Sequence, residues 1–141
     1  MYRDGVAVPQ DHEEALTWYR RAADQGDAAA QAALGTSYLE GKAVPRDIAQ
    51  AIMWFRKAAD EGHHTAQLAL GLLYEDGRGV PQDYVQAHKW ANLAAAVAVG
   101  EARTVCANAR EKIAAKMTAG QIGAAQRLAR EWKEAFDRRK K

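Results

Sequence analysis

Few side chains in this sequence have types and spacings that could do chemistry. The four histidines are His12, His63, His64 and His88, and the single cysteine is Cys106. A helical zinc pair needs two histidines four residues apart, so that both point at one ion. His63 and His64 are adjacent and diverge by about a third of a turn, so they read as solvated residues at a helix start. Cys106 rules out an internal disulfide. It falls in phase with Leu34 and Leu70, where a small buried hydrophobe belongs. No Gly-x-Ser-x-Gly elbow is present. Gly77-Arg78-Gly79 lacks the Lys-Ser/Thr and the preceding strand of a phosphate loop. Trp18, Trp54 and Trp90 could stack a substrate, but their regular spacing makes them packing residues. The run Arg138-Arg139-Lys140-Lys141 offers four charges, enough for weak nucleic-acid contact at best, and reads as a frayed, solvated end. No catalytic residue, metal ligand or cofactor-binding residue emerges.

The formal charge of +2 over 141 residues gives no general attraction to nucleic acid or to an anionic membrane. No apolar run reaches the ~18 residues of a membrane span. Residues 91–99 are the most apolar stretch and are too short. No signal-peptide pattern opens the chain, since Met1-Tyr2-Arg3-Asp4 leads straight into repeated sequence.

That repetition is the dominant signal. Val8-Pro9, Val44-Pro45 and Val80-Pro81 recur every 36 residues, as do Asp11, Asp47 and Asp83, and Trp18, Trp54 and Trp90. Residues 8–43 and 44–79 are identical at 17 of 36 positions without a gap. A period of this size marks a solenoid, whose units pack mainly on their neighbours. The units are residues 8–43, 44–79 and a degenerate 80–117, followed by a capping helix over 118–138, all in one domain.

Each unit encodes two helices. Asp11-x-x-Glu14, Asp47-x-x-Gln50 and Asp83-x-x-Gln86 read as capping boxes opening the first helix. Gly26 and Gly62 end it. The second helix runs from about Asp27 to Glu40 and from about His63 to Asp76, closed by Gly41 and Gly77. Gly35 and Gly71 lie inside it. A mid-helix glycine costs ~1 kcal/mol relative to alanine, so its recurrence implies close approach of a neighbouring helix. After Trp90 the pattern degrades, with Leu70-Gly71-x-x-Tyr74 becoming Cys106-Ala107-x-x-Arg110. Gly100 takes over the turn. Thr118-x-x-Gln121 opens a last helix with Ile122, Ala125, Leu128, Ala129, Trp132 and Phe136 on one side. Six to seven helices and no strand are expected.

The full unit reads Ala30, Leu34-Gly35, Tyr38, Gly41, Val44, Asp47, Ala51, Trp54-Phe55, Ala58-Ala59 and Gly62. This pattern resembles the Sel1-like repeat family, relatives of the tetratricopeptide repeats, over about residues 2–102. The resemblance implies an all-α, right-handed α/α superhelix that binds proteins or peptides and assembles complexes. It implies no enzyme chemistry. Cysteine-rich relatives discussed as penicillin binders have paired cysteines that are absent here. A hydrolase of that kind, or weak nucleic-acid or membrane-surface contact through the basic tail, are the alternatives.

By analogy with tetratricopeptide repeats, the Leu-Gly-x-x-Tyr helix lines the concave face. The resemblance thus implies a peptide-binding set of Thr36, Leu39, Glu40, Thr65, Leu68, Leu72, Glu75, Asp76 and Asn108. The groove is mildly apolar, with acids along one rim. The expected partner is a protein or peptide, with no small-molecule substrate, cofactor or nucleic acid. Tyr2-Arg3-Asp4-Gly5 matches Tyr38-x-x-Gly41, the tail of a helix whose body is absent. The chain therefore reads as a piece of a longer array or as one lacking its first helix, the former being favoured. Either way Trp18, Tyr19 and Ala22 should lie uncovered, and self-association through that end follows.

Overall fold

The computed structural model describes residues 7–140, with side chains from Glu13 onward. Among the described residues there are seven helices and no strand: α1 (Ala7–Asp24), α2 (Ala28–Glu40), α3 (Ile48–Asp60), α4 (His64–Asp76), α5 (Tyr84–Val97), α6 (Gly100–Ala114) and α7 (Ala119–Lys140). They stack in chain order as a solenoid. The tryptophan helices α1, α3 and α5 alternate with the Leu-Gly helices α2 and α4 and with α6. Tyr2 and Gly5, the remnant of a preceding unit, lie outside the described residues.

The caps explain the boundaries. Asp27 accepts the Ala30 N–H at 3.0 Å, and Gly41 and Gly77 close α2 and α4 in left-handed conformations, with φ of +75° and +69°. Asp47 and Asp83 accept the N–H groups of Gln50 and Gln86, each at 3.1 Å. The return half of the expected box is replaced. The Asp47 N–H donates instead to the Tyr38 carbonyl at 2.9 Å, and that of Asp83 to the Tyr74 carbonyl at 3.0 Å. Each tryptophan helix is thereby pinned to the Leu-Gly helix before it. Among the described residues a complete box forms only at α7, where Thr118 and Gln121 exchange bonds of 2.9 and 3.1 Å.

The first unit departs from the sequence expectation. Asp11 does not start a helix, because α1 already begins at Ala7 and runs through Val8-Pro9. A proline in the first helical turn lacks only an N–H that would be unbonded there anyway. The carbonyl that pins the later units belongs here to Tyr2, outside the described residues.

Packing follows the repeat. A Cβ on Gly35 would stand 2.7 Å from two carbons of the Phe55 ring, and one on Gly71 would stand 3.0 Å from the Ala87 carbonyl oxygen. The recurring glycine therefore marks the close approach that the sequence implied. Phe55 is 1% exposed and lies in a cluster running through α2, α3, α4, α5 and α7. Trp54 joins Leu16 and Ala23 of α1 to Ala30 and Leu34 of α2. Polar ties repeat as well. Gln31 and Gln67 donate to the Ala23 and Ala59 carbonyls, each at 3.2 Å. Arg20 and Arg56 donate to the hydroxyls of Tyr38 and Tyr74 at 2.8 and 2.7 Å. In the third unit that tie is inverted, since Arg110 of α6 donates to Asn92 Oδ1 of α5 at 3.0 Å.

Helix α7 caps the array by lying on α5 with Ala125 and Ala129 buried. Trp132 meets Trp90 edge-on at 5.9 Å and stacks on Phe136 at 5.0 Å. The basic tail is not frayed, contrary to expectation. Arg139 donates to the Asp60 carbonyl at 2.7 Å and Lys140 pairs with Glu61 at 2.9 Å. Both cations also sit 5.4 Å from the Phe136 ring, which holds them against the end of α3. The Lys140 hydrogen bond draws the Glu61 carboxyl below its ordinary pKa, against a small opposing effect of burial. No helix among the described residues is long and apolar enough to cross a membrane.

The two ends of this packing give a paired expectation. Trp54 is 7% exposed and Trp18 is 68% exposed. Trp54→Ala should cost ~3–5 kcal/mol, the range for large aromatics removed from packed cores. Trp18→Ala should stay within about 0.5 kcal/mol. Denaturant unfolding of both variants measures this, and equal losses would mean that the in-phase tryptophans are not set apart by packing.

Candidate functional site

The residues implied by the resemblance do not all share one surface. Helices α2 and α4 touch side by side. Thr36 is half-buried and spends its hydroxyl on the Ala32 carbonyl at 3.1 Å. Leu39 and Leu68 are also half-buried. Leu39 packs on the main cluster, and Leu68 on the cluster around Cys106 between α5 and α6. They fill seams more than they offer surface. Leu72 is 41% exposed, and Thr65, Glu40 and Asp76 are exposed with it. Glu40 lies 3.3 Å from Lys42.

Two members stand elsewhere. Glu75 is buried, and its carboxylate pairs with Lys116 beyond α6 at 2.9 Å, while its carbonyl accepts from Gln82 at 3.0 Å. It ties two elements together and is not a rim acid. Its hydrogen bond raises the Lys116 pKa. Asn108 lines a hollow of about 500 Å³ with Asn92 and Arg110, above α5.

The α1 face is uncovered as expected. Trp18 and Tyr19, with Ala22, line an open hollow of about 450 Å³ against Ala29 and Ala33 of α2. The Arg21 guanidinium lies 5.6 Å from the Trp18 ring. Their in-phase partners Trp54, Phe55 and Trp90 are all buried.

The titratable groups behave as burial dictates. Cys106 is 1% exposed and burial pushes its thiol pKa up, so it is a poor nucleophile. His63 and His64 are half-buried, not fully solvated, and stack with ring centroids 5.9 Å apart. His88 was missed as a site candidate. It occupies the core slot filled by Leu16 and Ile52 in the other units, is 4% exposed, and has no hydrogen-bond partner at Nδ1. The repeat itself carried that signal, because a histidine replaces two aliphatics in phase. Among the described residues, no three His, Cys, Asp or Glu side chains stand close enough to hold a metal.

A family model for the Sel1 repeat matches residues 1–27, 28–63 and 64–96. The chain belongs to the Sel1 repeat family. Two solved Sel1-type structures resemble it. One is a protective antigen present in uropathogenic Escherichia coli strains, displaying an SLR fold. It is 38% identical with a TM-score of 0.81 over 89% of this chain and 26% of that one. The other is a Sel1 repeat protein from Oxalobacter formigenes. It is also 38% identical, with a TM-score of 0.61 over 64% of this chain and 36% of that one. The chain thus spans about a quarter to a third of the length of these relatives. No curated protein matches it. The family match stops at residue 96, so α6 and α7 lie beyond it.

Burial, with a smaller push from the Arg110 guanidinium, holds the His88 pKa below the ordinary value, and Glu111 opposes this. His63 is lowered by burial and by His64, with Asp27 opposing. A histidine whose folded pKa is depressed contributes stability that is complete above its unfolded pKa of about 6.5, and that is lost as pH falls through the folded value. The protein should therefore melt at a lower temperature at pH 5 than at pH 7.5. His88→Leu, which restores the residue of the Leu16 slot, should narrow that gap. A gap of unchanged width would assign the acid sensitivity to other groups.

Proposed function

We propose that this Sel1 repeat protein is a non-enzymatic scaffold that holds a peptide segment of a partner protein across the surface of α2 and α4. The observation that carries this is Leu72. It is 41% exposed on a helix whose other leucines are wholly or partly buried. Thr65, Glu40 and Asp76 are exposed polar groups on the same two helices that can orient a ligand, and Leu39, Leu68 and Thr36 are half-buried on them. Without Glu75 and Asn108 the rim keeps two acids, Glu40 and Asp76. Exposed charge pairs contribute only ~0–1 kcal/mol each, so the leucine sets affinity and the two acids favour a peptide bearing Lys or Arg. The test is affinity capture followed by titration of the captured partner's peptide. Leu72→Lys should weaken binding by about tenfold or more while the melting temperature holds, as a buried apolar anchor predicts. Changing Glu40 and Asp76 together to Gln should mainly flatten the salt dependence. Binding unchanged in both variants would remove the site from this surface.

A second surface is favoured by Trp18. Its 68% exposure, beside Tyr19, leaves a largely apolar hollow open against α2. Self-association through this patch is the reading. Sedimentation over a concentration series should show the wild type associating and Trp18→Ala remaining monomeric. A wild type that stays monomeric at the highest concentration would dispose of it.

A further inference from the structure

The third unit departs from the first two at the residues that line one cleft. In units one and two an arginine of the tryptophan helix meets a tyrosine hydroxyl of the next Leu-Gly helix. In unit three the tyrosine position holds Arg110 and the arginine position holds Asn92. The phenol ring is gone and a guanidinium now projects from α6. The floor of the cleft is α5, one wall is α6, and the start of α7 forms the other. An inner chamber of about 300 Å³ is lined by His88, Glu111, Ile122 and Gln126, and an outer hollow of about 500 Å³ by Arg103, Thr104 and Asn108. Asn92 and Arg110, bonded to each other, line both and stand where the two hollows adjoin.

The donors outnumber the acceptors here. Arg110 is held by Asn92 Oδ1 at 3.0 Å and by Glu111 Oε2 at 3.2 Å from both Nε and Nη2. Two of its five N–H groups are thereby hydrogen-bonded, and the Nη2 contact to Glu111 is an ion pair. The exposed Arg103 has no side-chain hydrogen bond among the described residues. The Asn92 amide, having given its oxygen to Arg110, keeps its N–H groups, and Asn108 and Thr104 add neutral donors. Glu111 is the one acid, and Arg110 neutralises it. A second, independent feature points to a ligand. His88 is 4% exposed in a slot that is aliphatic in both other units, it lines the inner chamber, and its Nδ1 is unpartnered. A buried polar group in an apolar slot costs stability unless something meets it.

We propose that this α5–α6–α7 cleft binds an anionic group, a carboxylate or a phosphate, between Arg103 and Arg110 with His88 at its inner end. The site is separate from the α2–α4 surface and does not depend on it.

The experiment is a side-chain NMR titration of the whole chain at low ionic strength. It follows the Arg103 and Arg110 Nε–H signals and the His88 ring. The probes are N-acetyl-Asp-Asp with a free C-terminus, its neutral counterpart N-acetyl-Asn-Asn-amide, and inorganic phosphate. An anion should move all three residues saturably and the neutral peptide should not. Arg103→Gln, an exposed change that leaves the fold intact, should weaken binding about tenfold, the effect of one charged hydrogen bond. Arg110→Lys keeps the charge and should retain part of the affinity. Tighter saturation by the acidic peptide names a carboxylate ligand, and tighter saturation by phosphate names a phosphate. The proposal is overturned if neither anion saturates these signals, if the neutral peptide moves them equally, or if Arg103→Gln binds as well as the wild type.

Discussion

Helices α2 and α3 can meet as closely as they do because position 35 has no side chain. The Phe55 ring fills the space where a Cβ would stand, 2.7 Å from two of its carbons. Everything else in the array is scaled to that approach. Ala51, Ala58 and Ala59 are fully buried along α3, and Ala87, Ala91 and Ala94 along α5, because at this separation only small residues fit. Trp54, Phe55 and Trp90 are the large aromatics buried among them. Polar ties add orientation to this packing. The Asp47 and Asp83 amides bonded to the preceding helix, and Gln31 and Gln67 reaching back over eight residues, supply it. The aspartate ties satisfy the Tyr38 and Tyr74 carbonyls at the helix ends, and the glutamines add a second bond to the Ala23 and Ala59 carbonyls, which already accept from Gly26 and Gly62.

A solenoid built this way has an end problem. Each unit completes the next, so the last exposes a seam. Beyond α6, α7 lies over that seam. It lays Ala125 and Ala129 into the core and sets Trp132 against Trp90, so an aromatic from a different register covers the last tryptophan. Phe136, Arg139 and Lys140 extend the contact to the end of α3. The basic run is thus a fastening with two of its charges already committed. The α1 end has no such cover in the described residues, and Trp18 shows it.

Much of the fold was legible because periodicity is a local signal. Phase placed the Asp47 and Asp83 caps, the seam glycines, and Trp54 and Trp90 in the core, whereas Asp11 and Trp18 of the first unit depart from it. The misses share one physical cause, which is that they depend on residues far away in the chain. Asp47 was readable as a cap, but the partner of its own N–H was not, because that is a carbonyl nine residues back. Glu75 looked like a free helix end until Lys116, 41 residues on, proved to be its partner. Asn108 was assigned to a face by counting turns, whereas the packing of α6 on α5 puts it in a hollow with Asn92 and Arg110. The tail looked solvated because nothing in its composition points to Asp60 and Glu61, 79 residues earlier.

A repeat protein also carries its own internal comparison. Where units agree, as Leu16 and Ile52 do, the shared chemistry answers to packing. Where one unit breaks rank, packing no longer explains the choice. His88 breaks the aliphatic slot. Asn92 and Arg110 break the Arg-Tyr tie, yet they keep its geometry by exchanging donor and acceptor across the same 18-residue spacing. Random decay of a terminal unit would have removed the tie. Its retention with reversed polarity, next to a buried histidine that costs stability, concentrates three departures around one cleft. In a scaffold whose units otherwise differ so little, such a cluster is the place where the chain has something other than its own stacking to satisfy.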